Sequence, residues 1–278
     1  MRITLTDIRK NYSTQGRTMR LTGMLGILAV SLAAGEHSPE LPLSDTRLSV
    51  HTLVREDIFA GILDGDMSRL ARGERNIEIL LKQRPGEKPA LLVWKAGAIL
   101  YRGVLALEAN RRAEFDEKYA QAIDLLAEAK KLGPQDQGVD AASGGIYVLM
   151  ADQLPENLRG PAWAKAYDAY QLLWKKQATV IAKLPLHLRG ELLGGLAQSA
   201  QRTGRTKELA EYLDKLVAVA PGTAYARTAK KWKEDPKAAL HTPLTCLSCH
   251  ASGRLQARKV ALERESNAAG AVNKPPRP

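Results

Sequence analysis

The sequence predicts an all-α protein of stacked helical hairpins that ends in a short segment of different character. Three observations predict this fold class. Alanine, leucine, glutamate, lysine and arginine dominate residues 45–232. Valine, isoleucine and threonine never alternate with polar residues over the length of a strand, and prolines recur at the ends of helical patterns. With 278 residues and 45% hydrophobic side chains, the chain supports a substantial core, which excludes disorder throughout.

The first 33 residues are predicted to be a signal peptide. Residues 21–33 form an apolar run behind five basic residues, and the run is shorter than the about 20 residues that span a bilayer. Small residues precede a cleavage position after Ala33, and Met19 is an alternative start. We therefore expect a periplasmic or secreted bacterial protein, with residues 34–52 as a linker and no integral membrane span after cleavage. A buried helix is the alternative interpretation of this run.

Residues 53–235 are predicted to form the helical domain. Its helical patterns end just before residues that cannot continue a helix. These residues are Pro85, Pro134, Pro185 and Pro221. The clearest pair of helices covers residues 188–202 and 206–219, joined by a turn at Gly204.

This pair of helices resembles a tetratricopeptide repeat. The positions that carry the resemblance are Leu193, Leu196, Ala197, Gly204 and Pro221. Residues 67–85 and 114–134 keep parts of the same pattern. The resemblance implies a solenoid whose concave groove binds a peptide or a partner helix. An ordinary helical bundle is the alternative, because amphipathic helices with proline ends occur there too.

Five aromatic side chains fall on helical faces and have two explanations. They are Trp94, Tyr101, Tyr167, Tyr170 and Trp174. A peptide-binding groove would use such residues, but core packing accounts for their spacing better. We therefore expect most of them in the core.

Residues 246–250 read Cys-Leu-Ser-Cys-His, which resembles the attachment sequence of c-type cytochromes. In that class the thiols of Cys246 and Cys249 would add to the two vinyl groups of one haem, and His250 would be the proximal iron ligand. The sequence therefore predicts one covalent haem c on segment 236–265. A redox-active dithiol, a zinc site that includes His241 and a short disulfide remain alternatives.

A second iron ligand must come from upstream of the motif. The 28 residues after His250 contain no methionine or histidine, which excludes the common small cytochrome c fold as a complete unit. The upstream candidates are His37, His51, His187, His241, Met67 and Met150. His187 and His241 are the best placed, although an ordinary surface role explains each of them, and both methionines are expected in the core. An open iron site is the remaining alternative.

The positive charge is concentrated around the motif. The net charge of +11 falls to +7 when the predicted leader is removed, and residues 228–278 carry ten basic against four acidic side chains. Such a surface favours an acidic redox partner. A solvated basic tail is the alternative, with residues 266–278 expected to be disordered. Nucleic acid is not expected as a partner, because the basic residues lack interleaved aromatics.

These observations predict an exported monohaem c protein on a helical-repeat scaffold, acting in electron transfer or redox-partner docking. One alternative is a non-enzymatic scaffold or assembly protein in which the CxxCH motif is structural or vestigial. Another is a haem peroxidase or gas-binding protein with an open iron site. No carboxylate pair, nucleophile–base set or phosphate loop indicates hydrolysis or group transfer. An electron carrier or binding protein is therefore favoured over an enzyme.

Overall fold

Residues 43–240 and 242–245 are described by the computed structural model, and all their regular secondary structure is helical. Nine α-helices lie in this part of the chain. They are α1 (Val50–Phe59), α2 (Met67–Gln83), α3 (Lys88–Glu108), α4 (Arg112–Leu132), α5 (Gln137–Met150), α6 (Glu156–Gln177), α7 (Leu186–Arg202), α8 (Thr206–Val219) and α9 (Ala224–Glu234). Short π- or 3₁₀-helical turns follow α1, α2, α5, α6 and α9. The all-α prediction is confirmed for these residues.

Several predicted features fall outside the described residues. They are the signal peptide at 1–33, residues 34–42 of the predicted linker at 34–52, His37, His241, Cys246, Cys249, His250 and the tail at 266–278. The described chain therefore stops directly before the CxxCH motif, at Thr245.

The helices pack as consecutive hairpins. α1 pairs with α2, α3 with α4, α5 with α6 and α7 with α8, and α9 packs against α8. The first helices of neighbouring hairpins also meet, because α1 contacts α3, α3 contacts α5 and α5 contacts α7. One row of helices therefore runs through the described part of the domain.

The predicted helix ends are confirmed. α2 ends at Gln83, α4 at Leu132 and α8 at Val219, each two residues before its proline. The turn after α6 ends at Lys183, also two residues before a proline. A proline disfavours helical backbone in the residue before it, which places each end there. α8 has the predicted bounds, and α7 begins at Leu186, two residues earlier than expected.

Helix α3 is buried on most of its surface. With the turn before it, α3 forms the segment Pro85–Glu108, the one segment among residues 43–240 and 242–245 that is long and apolar enough to cross a membrane. The fold buries 72% of its most apolar window. Packing against α1, α2, α4 and α5 therefore accounts for its composition.

The predicted core aromatics are confirmed, and one predicted core methionine is wrong. Trp94, Tyr101, Tyr167 and Tyr170 are at most 6% exposed, and Trp174 is half-buried. Met150 is fully buried as expected. Met67 is 36% exposed, because it is the first residue of α2 and no neighbouring helix covers the outward side of that turn.

A buried carboxylate fastens α1 to α2. Asp57 is 6% exposed and accepts hydrogen bonds from Arg72 at 2.6 Å and from Arg69 at 2.8 Å. Burial by itself raises the pKa of Asp57, but the two arginines outweigh it and hold the pKa below its ordinary value. At the end of α2, Arg84 donates to the carbonyl of Leu48 at 2.7 Å. These contacts fix α1, which forms one wall of the site.

Candidate functional site

A groove of about 590 Å³ runs across α1, α3, α5, α6, α7 and α9. We call it the histidine groove, because two histidines lie in it. Its defining residues are His51, Trp94, Ala142, Tyr170, His187 and Tyr225. Glycine and alanine residues of α5 line it and leave room between the walls. Its volume is within the range of about 300–1,000 Å³ that small-molecule and cofactor sites occupy.

The amino-terminal wall of the groove is built around His51 of α1. The indole Nε1–H of Trp94 donates to His51 Nδ1 at 2.7 Å, and the ring of Phe59 meets the Trp94 ring edge-on. An indole N–H is only a donor, so Nδ1 must accept and the proton of the neutral imidazole lies on Nε2. Burial lowers the pKa of His51 below its ordinary value, which favours this neutral form.

The carboxyl-terminal wall is built around His187 of α7. The hydroxyl of Tyr225 donates to Glu191 Oε1 at 2.8 Å and lies 3.3 Å from His187 Nδ1. A phenol has one proton, so towards His187 its oxygen accepts and His187 Nδ1–H donates. In residues 43–240 and 242–245, His187 Nε2 has no hydrogen-bond partner, and the side chain is exposed. The lone pair of Nε2 is therefore available.

The carboxyl-terminal chain returns along α7 towards this wall. The carbonyl of Ala239 accepts from Arg202 at 3.0 Å, and the amide of Leu244 donates to Gln198 at 2.9 Å. If Gly194 carried a side chain, its Cβ would lie 2.6 Å from the carbonyl oxygen of Leu244. Glycine therefore lets the two backbones approach closely. Successive contacts thus move from the end of α7 towards its start.

The contact residues and the histidine share one face of α7. Positions 187, 191, 194 and 198 are spaced i, i+4, i+7 and i+11, which places them along one stripe of an α-helix. Gly194 is seven residues from His187, or about 10 Å at 1.5 Å per residue. Leu244 and Thr245 therefore lie against the stripe of α7 that also carries His187.

Of the two best-placed ligand candidates, His187 lies within the described chain and His241 does not; the lesser candidates His51, Met67 and Met150 are also described. The structure brings His187 to Tyr225 and Glu191, which the sequence analysis missed. Glu191 had a local signal, since it is one helical turn from His187. Tyr225 is 38 residues away in sequence and His51 is 43 from its partner Trp94, so neither contact had a local signal.

No group of three histidine, cysteine, aspartate or glutamate side chains suited to a metal ion occurs in the described part of the chain. The residues there do fit an attached planar cofactor. The groove is mainly apolar, and its wall carries the exposed imidazole of His187. Thr245 is fully buried, and its hydroxyl has no hydrogen-bond partner among the described residues.

Comparison with known proteins gives no assignment. No protein-family model matches this chain, and neither the curated proteins nor the solved structures contain a match.

Proposed function

We propose that this chain is an exported monohaem c protein on a tetratricopeptide-like scaffold, acting in electron transfer or redox-partner docking. The observation that carries the proposal is the spacing of Cys246, Cys249 and His250. Two thiols three residues apart reach both vinyl groups from one turn of chain, and the adjacent histidine meets the iron.

Attachment of the haem is an addition reaction in which no atom is lost and no external oxidant is needed. For each cysteine, the S–H bond and the vinyl double bond are consumed, and a C–S and a C–H bond form. The resulting thioethers hold the cofactor permanently, so bound haem supplies a one-electron couple that stays with the chain. Attachment of this kind takes place outside the cytoplasm, which agrees with the predicted leader at residues 1–33.

The hairpin arrangement supports the scaffold part of the proposal. Each first helix contacts the first helix of the next hairpin, as stacked repeats require. The turn at Gly204 has a positive φ of 71°, which glycine adopts without strain. The residues of the most repeat-like hairpin that match the pattern, Leu193, Leu196 and Ala197, are buried.

The charge near the motif supports an acidic protein as the redox partner. Lys230, Lys231, Lys233 and Lys237 are exposed on and beside α9, and Lys233 pairs with Asp214 of α8. A positive surface steers an acidic partner and raises the association rate, and salt weakens the effect. The partner is therefore expected to dock near α9, beside the segment that carries the haem.

A visible spectrum of the full chain, produced with a c-type maturation system, tests the proposal. We expect haem that resists acid–acetone extraction and gives a pyridine haemochrome band. Replacing Cys246 and Cys249 with alanine should abolish that band, whereas Ser248→Ala, between them, should retain it. Wild-type protein without the band would overturn the haem proposal and leave a repeat scaffold with a structural or vestigial motif.

Carbon monoxide and peroxide separate electron transfer from the haem-enzyme alternative. Iron with a strong ligand on each face should respond slowly to both. Rapid binding of carbon monoxide or turnover of peroxide by the wild-type protein would favour an open site and a gas-binding or peroxidase function.

A further inference from the structure

The two histidines of the histidine groove present opposite hydrogen-bonding groups. Trp94 donates to Nδ1 of His51, so His51 offers the N–H of its Nε2. Tyr225 accepts from Nδ1–H of His187, so His187 offers the lone pair of its Nε2. Neither Nε2 atom has a hydrogen-bond partner among residues 43–240 and 242–245. One donor and one acceptor are therefore available to a molecule that enters the groove.

Both groups lie at the same end of two neighbouring helices. A Cβ added to Gly138, the second residue of α5, would lie 2.7 Å from His51 Nε2, so this nitrogen rests against the start of α5. His187 is the second residue of α7. Helices α5 and α7 contact each other and each packs against α6, so they run in the same direction. Packed helices lie about 8–10 Å apart, which sets a separation of this order between the two groups.

The space between the two groups is apolar and is held open by fixed aromatic rings. Ala142 of α5 lines it with a single methyl group. The Tyr170 ring packs over Gly144, where an added Cβ would lie 2.9 Å from it, and the Tyr225 ring packs directly over Gly190. Both rings are at most 5% exposed, so neighbouring atoms hold them in place. A preformed apolar space with a few polar groups is typical of a small-molecule site.

The charged side chains of the groove favour a neutral ligand. Arg55 and Glu56 pair with each other at 2.7 Å, so their charges offset. Glu191 accepts from Tyr225 at 2.8 Å and places a negative charge near His187. A carboxylate or phosphate on the ligand would be repelled there. A hydroxyl can donate to His187 without bringing a charge into an apolar space.

An aromatic ring suits the surface between the two ends. Phe59 and Trp94 line the groove and meet edge-on, with ring centroids 5.4 Å apart. A flat ring can join such a pair by edge-to-face or offset contact and removes apolar surface from water. It also holds its two polar groups at a fixed separation, which reduces the entropy lost on binding.

We propose that the histidine groove binds a neutral aromatic molecule with a hydrogen-bond acceptor at one end and a hydroxyl at the other, as in a phenolic ketone. His51 Nε2–H donates to the acceptor, and His187 Nε2 accepts from the hydroxyl. Trp94 and Tyr225 are positioning residues, because they set the two tautomers. Every residue in this proposal lies within the described chain, and the proposal does not rest on the haem function.

Calorimetric titration of the wild-type full chain tests the class of ligand. The probe is para-hydroxyacetophenone, which carries a phenol and a carbonyl at opposite ends of one ring. We expect it to bind at one site per chain. Binding should be at least about tenfold weaker for para-methoxyacetophenone, which has no hydroxyl proton, and for para-ethylphenol, which has no carbonyl. Equal affinities for the three probes, or no binding of the first, would overturn the proposal.

Two substitutions test the ends of the ligand separately. His187→Leu should lower the affinity for para-hydroxyacetophenone about tenfold and remove its advantage over para-methoxyacetophenone. His51→Leu should likewise remove its advantage over para-ethylphenol. Leu186→Ala is the matched control, since Leu186 is exposed beside His187 but does not line the groove, and it should bind as the wild type does. An advantage that survives in either leucine variant would overturn the role of that histidine.

A conservative variant keeps the test valid if His51→Leu, which leaves the Trp94 indole unpaired, does not fold. In His51→Gln the amide oxygen can accept from Trp94 while the amide N–H donates into the groove. This variant should keep the wild-type preference among the probes. Loss of that preference in folded protein, as judged by far-UV circular dichroism, would overturn the assignment of the donor.

Two further measurements locate the site. Ala142→Phe fills the groove from α5 without changing either histidine and should abolish binding, and binding that persists would place the site elsewhere. Nitrogen-15 chemical shifts of the ligand-free chain should place the proton of His187 on Nδ1 and that of His51 on Nε2. Both Nε2 resonances should shift when the probe is added. A proton on His187 Nε2 in the ligand-free chain would overturn the proposal.

Discussion

The two walls of the histidine groove hold the same type of side chain in opposite states. On the amino-terminal wall, the indole of Trp94 can only donate, so His51 presents an N–H. On the carboxyl-terminal wall, the Tyr225 hydroxyl donates a hydrogen bond to Glu191 and accepts one from His187 Nδ1–H, so His187 presents the lone pair of Nε2. The comparison shows that the nearest partner, rather than the residue type, decides what a histidine can bind.

The walls also differ in how they are held. A buried ion pair between Asp57 and two arginines of α2 fixes the amino-terminal wall within one hairpin. On the carboxyl-terminal wall, α7 is instead held by a distant part of the chain. The amide of Leu244 donates to Gln198, which lies 46 residues earlier in the sequence. Substitutions on the second wall should therefore alter both stability and the docking of residues 244 and 245 on α7.

Gly194→Ala should have the largest effect, because it breaks the carboxyl-terminal wall at its anchor. The new Cβ would lie 2.6 Å from the carbonyl of Leu244, and backbone cannot rotate away as a side chain can. We expect the free energy of unfolding of the haem-free chain to fall by about 1–3 kcal/mol in urea titrations.

Gly145→Ala in α5 is the matched control for this substitution. The nearest atom to an added Cβ there is the Tyr170 hydroxyl oxygen at 3.8 Å, an ordinary contact distance, and alanine favours helix over glycine. We expect its free energy of unfolding to rise by about 0.4–1 kcal/mol. Equal effects of the two substitutions would show that Leu244 does not rest on Gly194.

Trp94→Phe should have an intermediate effect, confined to the amino-terminal wall. It removes the only donor that faces His51 Nδ1 among the described contacts and leaves a smaller ring in a site that is 4% exposed. We expect a loss of about 1–2 kcal/mol in the free energy of unfolding. The half-buried Trp174, changed to phenylalanine, should cost less.

The same substitution sharpens the comparison of tautomers. Without the indole donor, nitrogen-15 spectra should show His51 populating the Nδ1–H form, while His187 stays unchanged. A His51 that keeps its Nε2 proton in Trp94→Phe would show that another group sets its state.

The smallest effect concerns pH. Burial holds the pKa of His51 below its ordinary value of 6.5, so the unfolded chain binds this proton more tightly than the folded chain. Stability should therefore decline as pH falls through about 6.5 and level off below the folded pKa. Urea midpoints measured from pH 8 to pH 5 should decline less in His51→Gln.

Asp57→Asn is the control for that pH dependence. The pKa of Asp57 is lowered from 3.8, so the stability that its ionised form contributes is lost only as pH falls below that value. This variant should be less stable at pH 7 but should keep the wild-type decline between pH 8 and pH 5. If stability does not decline between pH 8 and pH 5 in Asp57→Asn, then Asp57 and not His51 causes the decline in the wild-type protein.

The sequence predicted those parts of the fold that depend on local patterns. Proline positions predicted four helix ends, and the spacing around Gly204 predicted the bounds of α7 and α8 to within two residues. Burial followed from helical periodicity for Met150 but not for Met67. At the first turn of a helix, exposure depends on which neighbour lies beside it, and periodicity carries no information about that neighbour.

The candidate site was less accessible to sequence reasoning. His187 was selected for its place at the start of a repeat helix, and the structure places it in the histidine groove. Its partner Tyr225 lies on α9. The contact between the two residues depends on how α7, α8 and α9 pack together. The same is true of Trp94 beside His51, because α1 and α3 meet only in the folded hairpins.

The return of the chain along α7 also sets an order of events during maturation. Hairpins close over short loops and form quickly, whereas the contact between Leu244 and Gln198 joins residues 46 apart and must come later. Thr245 can dock only after α7, α8 and α9 have assembled. We therefore expect an interval in which the helical hairpins are folded while residues 244 and 245 have not yet docked on α7.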